Sequence, residues 1–334
     1  MNRSMKKLII HIGYPKTAST TIQLNVFKSL YKNGEVEYLN HIGAHSEDLG
    51  SYIVKDIFEY STGFTTVLPV KELELLKNIE LPISILSNES LSHVSANCPN
   101  PSYRRGVYDN LERLHNAFKP YYDKIELVMV IRDQSTMIHS YYTQEFFNIV
   151  REDSRYSDMK LWIQDNFGAA IDQEELMFNY FKMYQSAVSY FGEDNTHVLL
   201  YEDLIHNKEK FMTQWASILG KDSTVIKDLF DKKAQNVTVR KSNSRSTDKP
   251  SIGSKLSLLS RQLKVPKGAR KFVKTLVPKK LTSLKMGKEV EMQNLSKDDI
   301  ELINKQFGAS NLQLSKQAEL NIEQLKSFGY PIGS

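Results

Sequence analysis

The sequence predicts an α/β fold: a doubly wound, mostly parallel sheet with helices on both faces, followed by a helical, basic C-terminal extension. Short apolar runs alternate with helical patterns almost from the first residue, as a sheet joined by helical crossovers requires. Residues 126–131 (ELVMVI) are apolar on both alternating sets, the pattern of a strand covered on both faces. A turn rich in hydroxyls follows the first strand and leads straight into a helix, where sheets of this kind bind ligands.

The first strand is Lys7–Ile12, with its isoleucines ahead of Gly13. Ser19–Lys32 reads as the first helix, with hydroxyl residues at its start and Ile22, Val26 and Leu30 four apart. Glu35–Leu39 and Ile83–Ser87 are the next strands, and Tyr103–Phe118 is a helix by the spacing of Leu111, Leu114 and Phe118. Ile125–Ile131 is the strongest apolar strand. Helices follow at Asp133–Val150 and at Gln173–Phe191, their ends ill-defined. Thr196–Tyr201 is the last strand, and Lys208–Leu219 the helix after it. Phe230 to Pro250 is polar and irregular, and Lys297–Phe328 closes the chain as a helical region. This divides the chain into a core at 1–235 and an extension at 236–334 that packs on it. Ligand chemistry is expected just after Ile12, Ser87, Ile131 and Leu200, the carboxyl ends of the strands.

With 334 residues the chain can bury a large core without covalent staples. Cys98 is its only cysteine, which excludes a disulfide scaffold, zinc fingers and iron–sulfur clusters. Mean hydropathy is −0.42, and no apolar run approaches the 18 or so residues of a membrane span. The charged start MNRSMKK precedes an apolar stretch, Leu8–Ile10, too short for a secretion signal, so a cytoplasmic protein is expected.

The formal net charge of +5 conceals an asymmetry. Residues 249–288 contain 12 Lys or Arg and no acid, leaving 32 basic against 39 acidic residues elsewhere. Leu256, Leu258, Leu259, Leu263, Phe272 and Leu276 interleave with these cations, so short amphipathic helices are expected. The stretch suits an acidic polysaccharide or the anionic inner face of a membrane, with no nucleic acid expected.

The first turn reads Gly13-Tyr14-Pro15-Lys16-Thr17-Ala18-Ser19-Thr20-Thr21. Backbone N–H groups at a strand-to-helix turn form an anion site, the hydroxyls at 17, 19, 20 and 21 add donors, and Lys16 adds charge. The loop is P-loop-like in position. A nucleotide-kinase loop, G-x-x-x-x-G-K-[ST], is not what it spells: Ala18 and Ser19 occupy the second glycine and the lysine. Further on, Arg132 ends the fourth strand and Ser140 follows eight residues later, a forked cation and a hydroxyl suited to phosphate. Leu200-Tyr201-Glu202-Asp203-Leu204 follows the last strand.

In these three motifs, taken in order, the sequence resembles sulfotransferases that use 3′-phosphoadenosine 5′-phosphosulfate (PAPS). Pro15, Lys16, Thr17, Ser19 and Thr20 match their 5′-phosphosulfate loop, P-K-[ST]-G-[ST]-[ST]. Ala18 replaces the glycine, so an L-residue conformation is expected there. The resemblance implies that Lys16, Thr17, Ala18, Ser19, Thr20 and Thr21 hold the 5′ end of PAPS. It implies too that Arg132 and Ser140 bind the 3′-phosphate, and that Tyr201 lies near the adenine. The motif order covers about residues 7 to 220.

Sulfuryl transfer to a hydroxyl needs a base on the acceptor and positive charge on the departing phosphate oxygen. Lys16 is placed for the second task. Asn88-Glu89-Ser90 closes the third strand, where glycan sulfotransferases often carry a catalytic glutamate, so Glu89 is the candidate base and His93 the next. A glycan or glycolipid acceptor is therefore expected, and no metal is required. His41 and His45 are four apart, but Gly43 between them interrupts any helix. Two rivals remain open at this stage: a kinase-like enzyme, and a polyanion- or membrane-binding protein on a nucleotide fold without catalysis. Tyr141, Tyr142, Phe146 and Phe147 are expected to pack in the core.

Overall fold

The computed structural model describes residues 5–39, 59–60, 65, 67–92, 107–168, 178–231, 244–246, 289–291 and 294–333. Five strands, β1 (Lys7–His11), β2 (Glu37–Tyr38), β3 (Ile83–Ser87), β4 (Lys124–Ile131) and β5 (Thr196–Leu200), form one sheet in the order β2-β3-β1-β4-β5. All its pairings are parallel. This is the α/β, doubly wound, P-loop-like sheet that the sequence predicts. At its carboxyl edge His11 sits between Ser87 of β3 and Val128 of β4.

Two apolar layers cover the sheet, and the period of two along each strand sorts residues between them. Leu8, Ile10, Ile12, Leu127, Met129 and Ile131 face one layer, whereas Ile9, Ile85, Val128, Val130 and Leu199 face the other. The first layer is filled from α3 (Val107–Phe118), α4 (Gln134–Glu152), α5 (Met159–Phe167), α6 (Tyr180–Phe191) and α10 (Lys297–Gln317). The second is filled from α1 (residues 19–32), α8 (Lys208–Leu219) and α9 (Ser223–Asp231), with Trp215 fully buried in it. The connections after β1 and β3 thus leave the sheet toward opposite faces, which opens a crevice between their ends.

Several elements differ from expectation in their extent. The second strand shrinks to two residues at the sheet edge. The final helical region divides into α10 and α11 (Ile322–Ser327), because Ala318 and Glu319 end the first helix, Glu319 with a φ of 51°. Tyr201 belongs to α7 (Tyr201–His206) rather than to the last strand. α2 (Val70–Glu74), α5, α7 and α9 have no counterpart among the expected elements. Residues 22–27 of α1 are wound as a π-helix, an extra-residue turn frequent near functional sites.

An antiparallel pair, β6 (Ser244–Ser246) and β7 (Glu289–Glu291), brackets the basic stretch in sequence. Residues 249–288 themselves lie outside the described residues. Tyr141, Tyr142 and Phe146 are buried in the first layer, as expected. Among the described residues no helix is long and apolar enough to cross a membrane.

Candidate active site

The loop after β1 is held by its own hydroxyls and by its neighbours. Thr17 Oγ1 donates to the Tyr14 carbonyl at 2.6 Å and is fully buried, so this hydroxyl shapes the loop. Ser19 Oγ lies 3.4 Å from the same carbonyl. Thr20 is exposed and Thr21 half-buried at the start of α1. The N–H groups of Thr21 and Ile22 both donate to the Ala18 carbonyl.

Expectation fails at Ala18. Its φ is 62°, the left-handed region that the glycine of the resembling motif would adopt freely, and Lys16 shares it with a φ of 66°. Each left-handed L-residue costs about 1–2 kcal/mol. The loop keeps that conformation because the bonds at Tyr14, Thr17 and Ala18 over-determine it. The result is a turn whose amides, with the first N–H groups of the helix, have no intrahelical acceptor and suit an anion.

Beneath the loop lies His11. Its Nδ1 is 2.7 Å from Ser87 Oγ, which also accepts from Gln23 Nε2 at 3.0 Å. Its ring is edged against Phe27 and Trp215, and burial pushes its pKa down to about 3, so the imidazole is neutral. Gly13 is required for contact: a Cβ there would stand 2.6 Å from His11 Nε2 and 2.9 Å from Ser19 Oγ. Sequence order gave His11 and Gln23 no role; the π-wound turn, which carries Gln23 to β3, has no readable signal in the residues.

Glu89 begins a short 3-10 turn (Glu89–Leu91) at the end of β3, half-buried. Burial raises its pKa, while a hydrogen bond with Ser19 and the nearby charge of Lys16 pull it down. The fold thus brings Glu89, Ser19 and Lys16 together across the β1–β3 crevice from positions 70 or more residues apart.

Arg132 closes β4. Among the described residues it pairs with no acid: Nη1 donates to the Lys16 carbonyl at 3.1 Å, Nε to Thr136 Oγ1 at 3.1 Å, and the guanidinium lies 4.8 Å over the Tyr201 ring. Asp133 and Glu202 take their hydrogen bonds from other groups. Asp133 caps α4 through the Thr136 N–H, and Glu202 accepts from the Asp133 N–H at 2.9 Å. Burial raises the pKa of both. Ser140 is half-buried on α4, and among the described residues no hydrogen bond joins it to Arg132. Arg132, Lys16 and Tyr201 are therefore one connected group, with Glu89 reached through Lys16 and Ser19. The fit to a nucleotide bearing two anionic ends is chemical: a left-handed anion turn with a lysine at one end and an arginine fork at the other.

His93, His41 and His45 lie outside the described residues. Among the described residues no group of three or more His, Cys, Asp or Glu side chains converges as a metal site.

A family model described as a sulfotransferase domain matches residues 6–271. No curated protein matches the sequence. Among solved structures, a sulfotransferase from Alicyclobacillus acidocaldarius aligns at 11% identity over 95% of this chain and 98% of that one, with a TM-score of 0.46. Mouse sulfotransferase SULT7A1 complexed with PAP aligns at 11% identity over 97% and 88%, with a TM-score of 0.40. The sulfotransferase domain of the Synechococcus PCC 7002 olefin synthase aligns at 13% identity over 91% and 95%, with a TM-score of 0.33.

Proposed function

The chain belongs to the sulfotransferase domain family, and from that premise we propose that it moves the sulfuryl group of PAPS to a hydroxyl of a glycan or glycolipid. The observation that carries the reading is the Glu89 carboxylate set beside Ser19 and Lys16 at the end of the first parallel crevice. PAPS would supply a sulfuryl group on a phosphate leaving group, with a 3′-phosphate as a second anchor. Lys16 and the amides of residues 17–20 bind and neutralise the 5′ end, where charge develops. Glu89, its pKa lifted by burial, takes the proton of the acceptor hydroxyl. Arg132, braced on Tyr201, meets the 3′-phosphate, with Ser140 on the helix that follows it. The acceptor class rests on the glutamate at this strand end. We further propose a peripheral contact of residues 249–288 with an acidic polysaccharide or the anionic inner face of a membrane, on their charge alone.

The test is transfer of labelled sulfate from PAPS to a panel of glycans and small phenols, read by mass shift. It is accompanied by thermal protection with 3′,5′-ADP and with 5′-AMP. Binding to the folded state alone stabilises by about 2.7 kcal/mol at a hundredfold excess over Kd. Stronger protection by 3′,5′-ADP is expected. Equal protection by both, or protection only by ATP with magnesium, overturns the donor assignment.

A further inference from the structure

The last described segment of the chain returns to the strand end that carries Arg132. After α11, Gly329 turns with a φ of 92°, and the Tyr330 N–H donates back to the Leu325 carbonyl. This aims the Tyr330 ring inward, where it is buried at 3% exposure and its hydroxyl donates to Glu202 Oε2 at 2.8 Å. The other oxygen of Glu202 accepts the Asp133 N–H at 2.9 Å. The carbonyl of the same peptide unit, that of Arg132, accepts from Tyr180 Oη at 2.7 Å. Both poles of the Arg132–Asp133 peptide are therefore held by buried side chains from distant parts of the chain. One of the two holds depends on a tyrosine 128 residues beyond Glu202. The neighbouring residue is tied to the same segment: Gln134 and Asn311 exchange two amide hydrogen bonds, and Asn311 also donates to the Pro331 carbonyl at 3.0 Å.

We propose that Tyr330 is a positioning residue for Arg132: with Glu202 and Tyr180 it fixes the peptide from which the guanidinium projects, and so sets the preference for a nucleotide bearing a 3′-phosphate. The inference rests on the reading of Arg132 as the 3′-phosphate ligand. A forked arginine gains its strength from bonds whose angles must be met together, and its base must therefore be still. The Arg132 side chain is steadied by Thr136, Tyr201 and the Lys16 carbonyl, but each of these touches the guanidinium end. Among the described residues, the side chains that hold the Arg132–Asp133 peptide are Tyr180 and Glu202, the latter braced by Tyr330. Tyr180 also lies edge-on to the Tyr14 ring of the anion loop, 4.8 Å between centroids, but Tyr180→Phe keeps that ring, so loss of either tyrosine hydroxyl acts on the Arg132 end of the ligand.

The experiment measures 3′,5′-ADP and 5′-AMP binding calorimetrically on the full chain and on Tyr330→Phe, Tyr180→Phe and Gln324→Ala. Gln324 sits on α11 and donates to Asp203 Oδ1 at 2.7 Å, anchoring the same segment without touching the Arg132 peptide. Tyr330→Phe is expected to weaken 3′,5′-ADP about 5–20-fold, as for one misaligned charge-assisted bond, and to leave 5′-AMP unchanged. Tyr180→Phe moves the ratio the same way, and carries the test should the first variant not fold. Gln324→Ala lowers stability and leaves the ratio as it was. An equal loss for both nucleotides, or no loss for either, reduces Tyr330 to a packing residue and overturns the proposal. If the unsubstituted protein does not prefer 3′,5′-ADP, the reading of Arg132 fails, a result already visible before any variant is compared.

Discussion

Burial lifts the Glu89 carboxyl above its ordinary range against the pull of Ser19 and Lys16, which makes its titration a readable property. A base must be ionised to work, so activity falls as pH drops through the raised pKa. The acid limb of kcat/KM is expected above the usual glutamate range, and Glu89→Gln removes about 10²- to 10⁴-fold of turnover with 3′,5′-ADP binding little changed. A fully active Glu89→Gln protein would remove Glu89 from the mechanism. Ala18 gives a second expectation. Ala18→Gly frees a left-handed residue of about 1–2 kcal/mol of strain, and the looser unfolded chain returns about 0.5–1 kcal/mol of it. A net gain of about 0.5 kcal/mol is expected in chemical denaturation, with catalysis retained. A destabilised Ala18→Gly protein would mean that the loop is not left-handed at this residue.

At the level of elements, the site is the join of β1, its loop and α1, and the packing beneath that join leaves it no slack. A methyl added at Gly13 meets His11 Nε2 and Ser19 Oγ within 3 Å. The imidazole has no retreat, being fixed by Ser87 and flanked by Phe27 and Trp215. Gly13→Ala is therefore expected to cost about 1–3 kcal/mol by overpacking and to displace Ser19 from Glu89. Gly333→Ala, where nothing lies within 4 Å, serves as the neutral control. Urea midpoints check both, and equal midpoints would place Gly13 outside any close contact. The π-wound turn of α1 belongs to the same join, because it sets the Gln23 side chain within 3.0 Å of Ser87.

Across the whole molecule, burial of a neutral histidine makes stability depend on pH. The His11 pKa is about 3 in the folded chain against about 6.5 unfolded, so between these values the unfolded state binds the extra proton. Its contribution is complete above about pH 6.5 and declines as pH falls toward 3, by about 1.4 kcal/mol per unit. His11→Gln removes that proton, so the slope of unfolding free energy against pH, measured between about pH 5.5 and 4.5, is expected to flatten by about one proton relative to the parent. An unchanged slope would mean that His11 is not buried neutral. Glu126 adds to acid lability lower down. Burial alone would raise its pKa, but the His197 ring nitrogen 3.5 Å away, a hydrogen bond from Lys124 and the charge of Lys7 hold it at about 2.

What the sequence by itself determined was the sheet and the order of its loops. The strand at Ile83–Ser87 has the expected bounds, and β1, β4 and β5 differ by a residue at an end, because runs of β-branched and apolar residues bounded by turns have few other ways to be buried. The helix at Lys208–Leu219 was equally legible, with Gly220 left-handed at its end. The places where Lys16, Glu89, Arg132 and Tyr201 leave the sheet follow from those strand ends. Tertiary structure alone decided what each side chain does there. The hydroxyl of Thr17 turned inward, Arg132 went to a carbonyl and an aromatic ring instead of an acid, and Ala18 took a glycine's conformation. His11 became the floor of the loop, and Tyr330 returned to Glu202 from the far end of the chain. None of these follows from hydrophobic periodicity. Thr17 and Ala18 are settled by hydrogen bonds within the loop, and His11, Arg132 and Tyr330 by polar groups finding partners across 76 to 128 residues of sequence, an obligation that burial imposes and that no periodicity records.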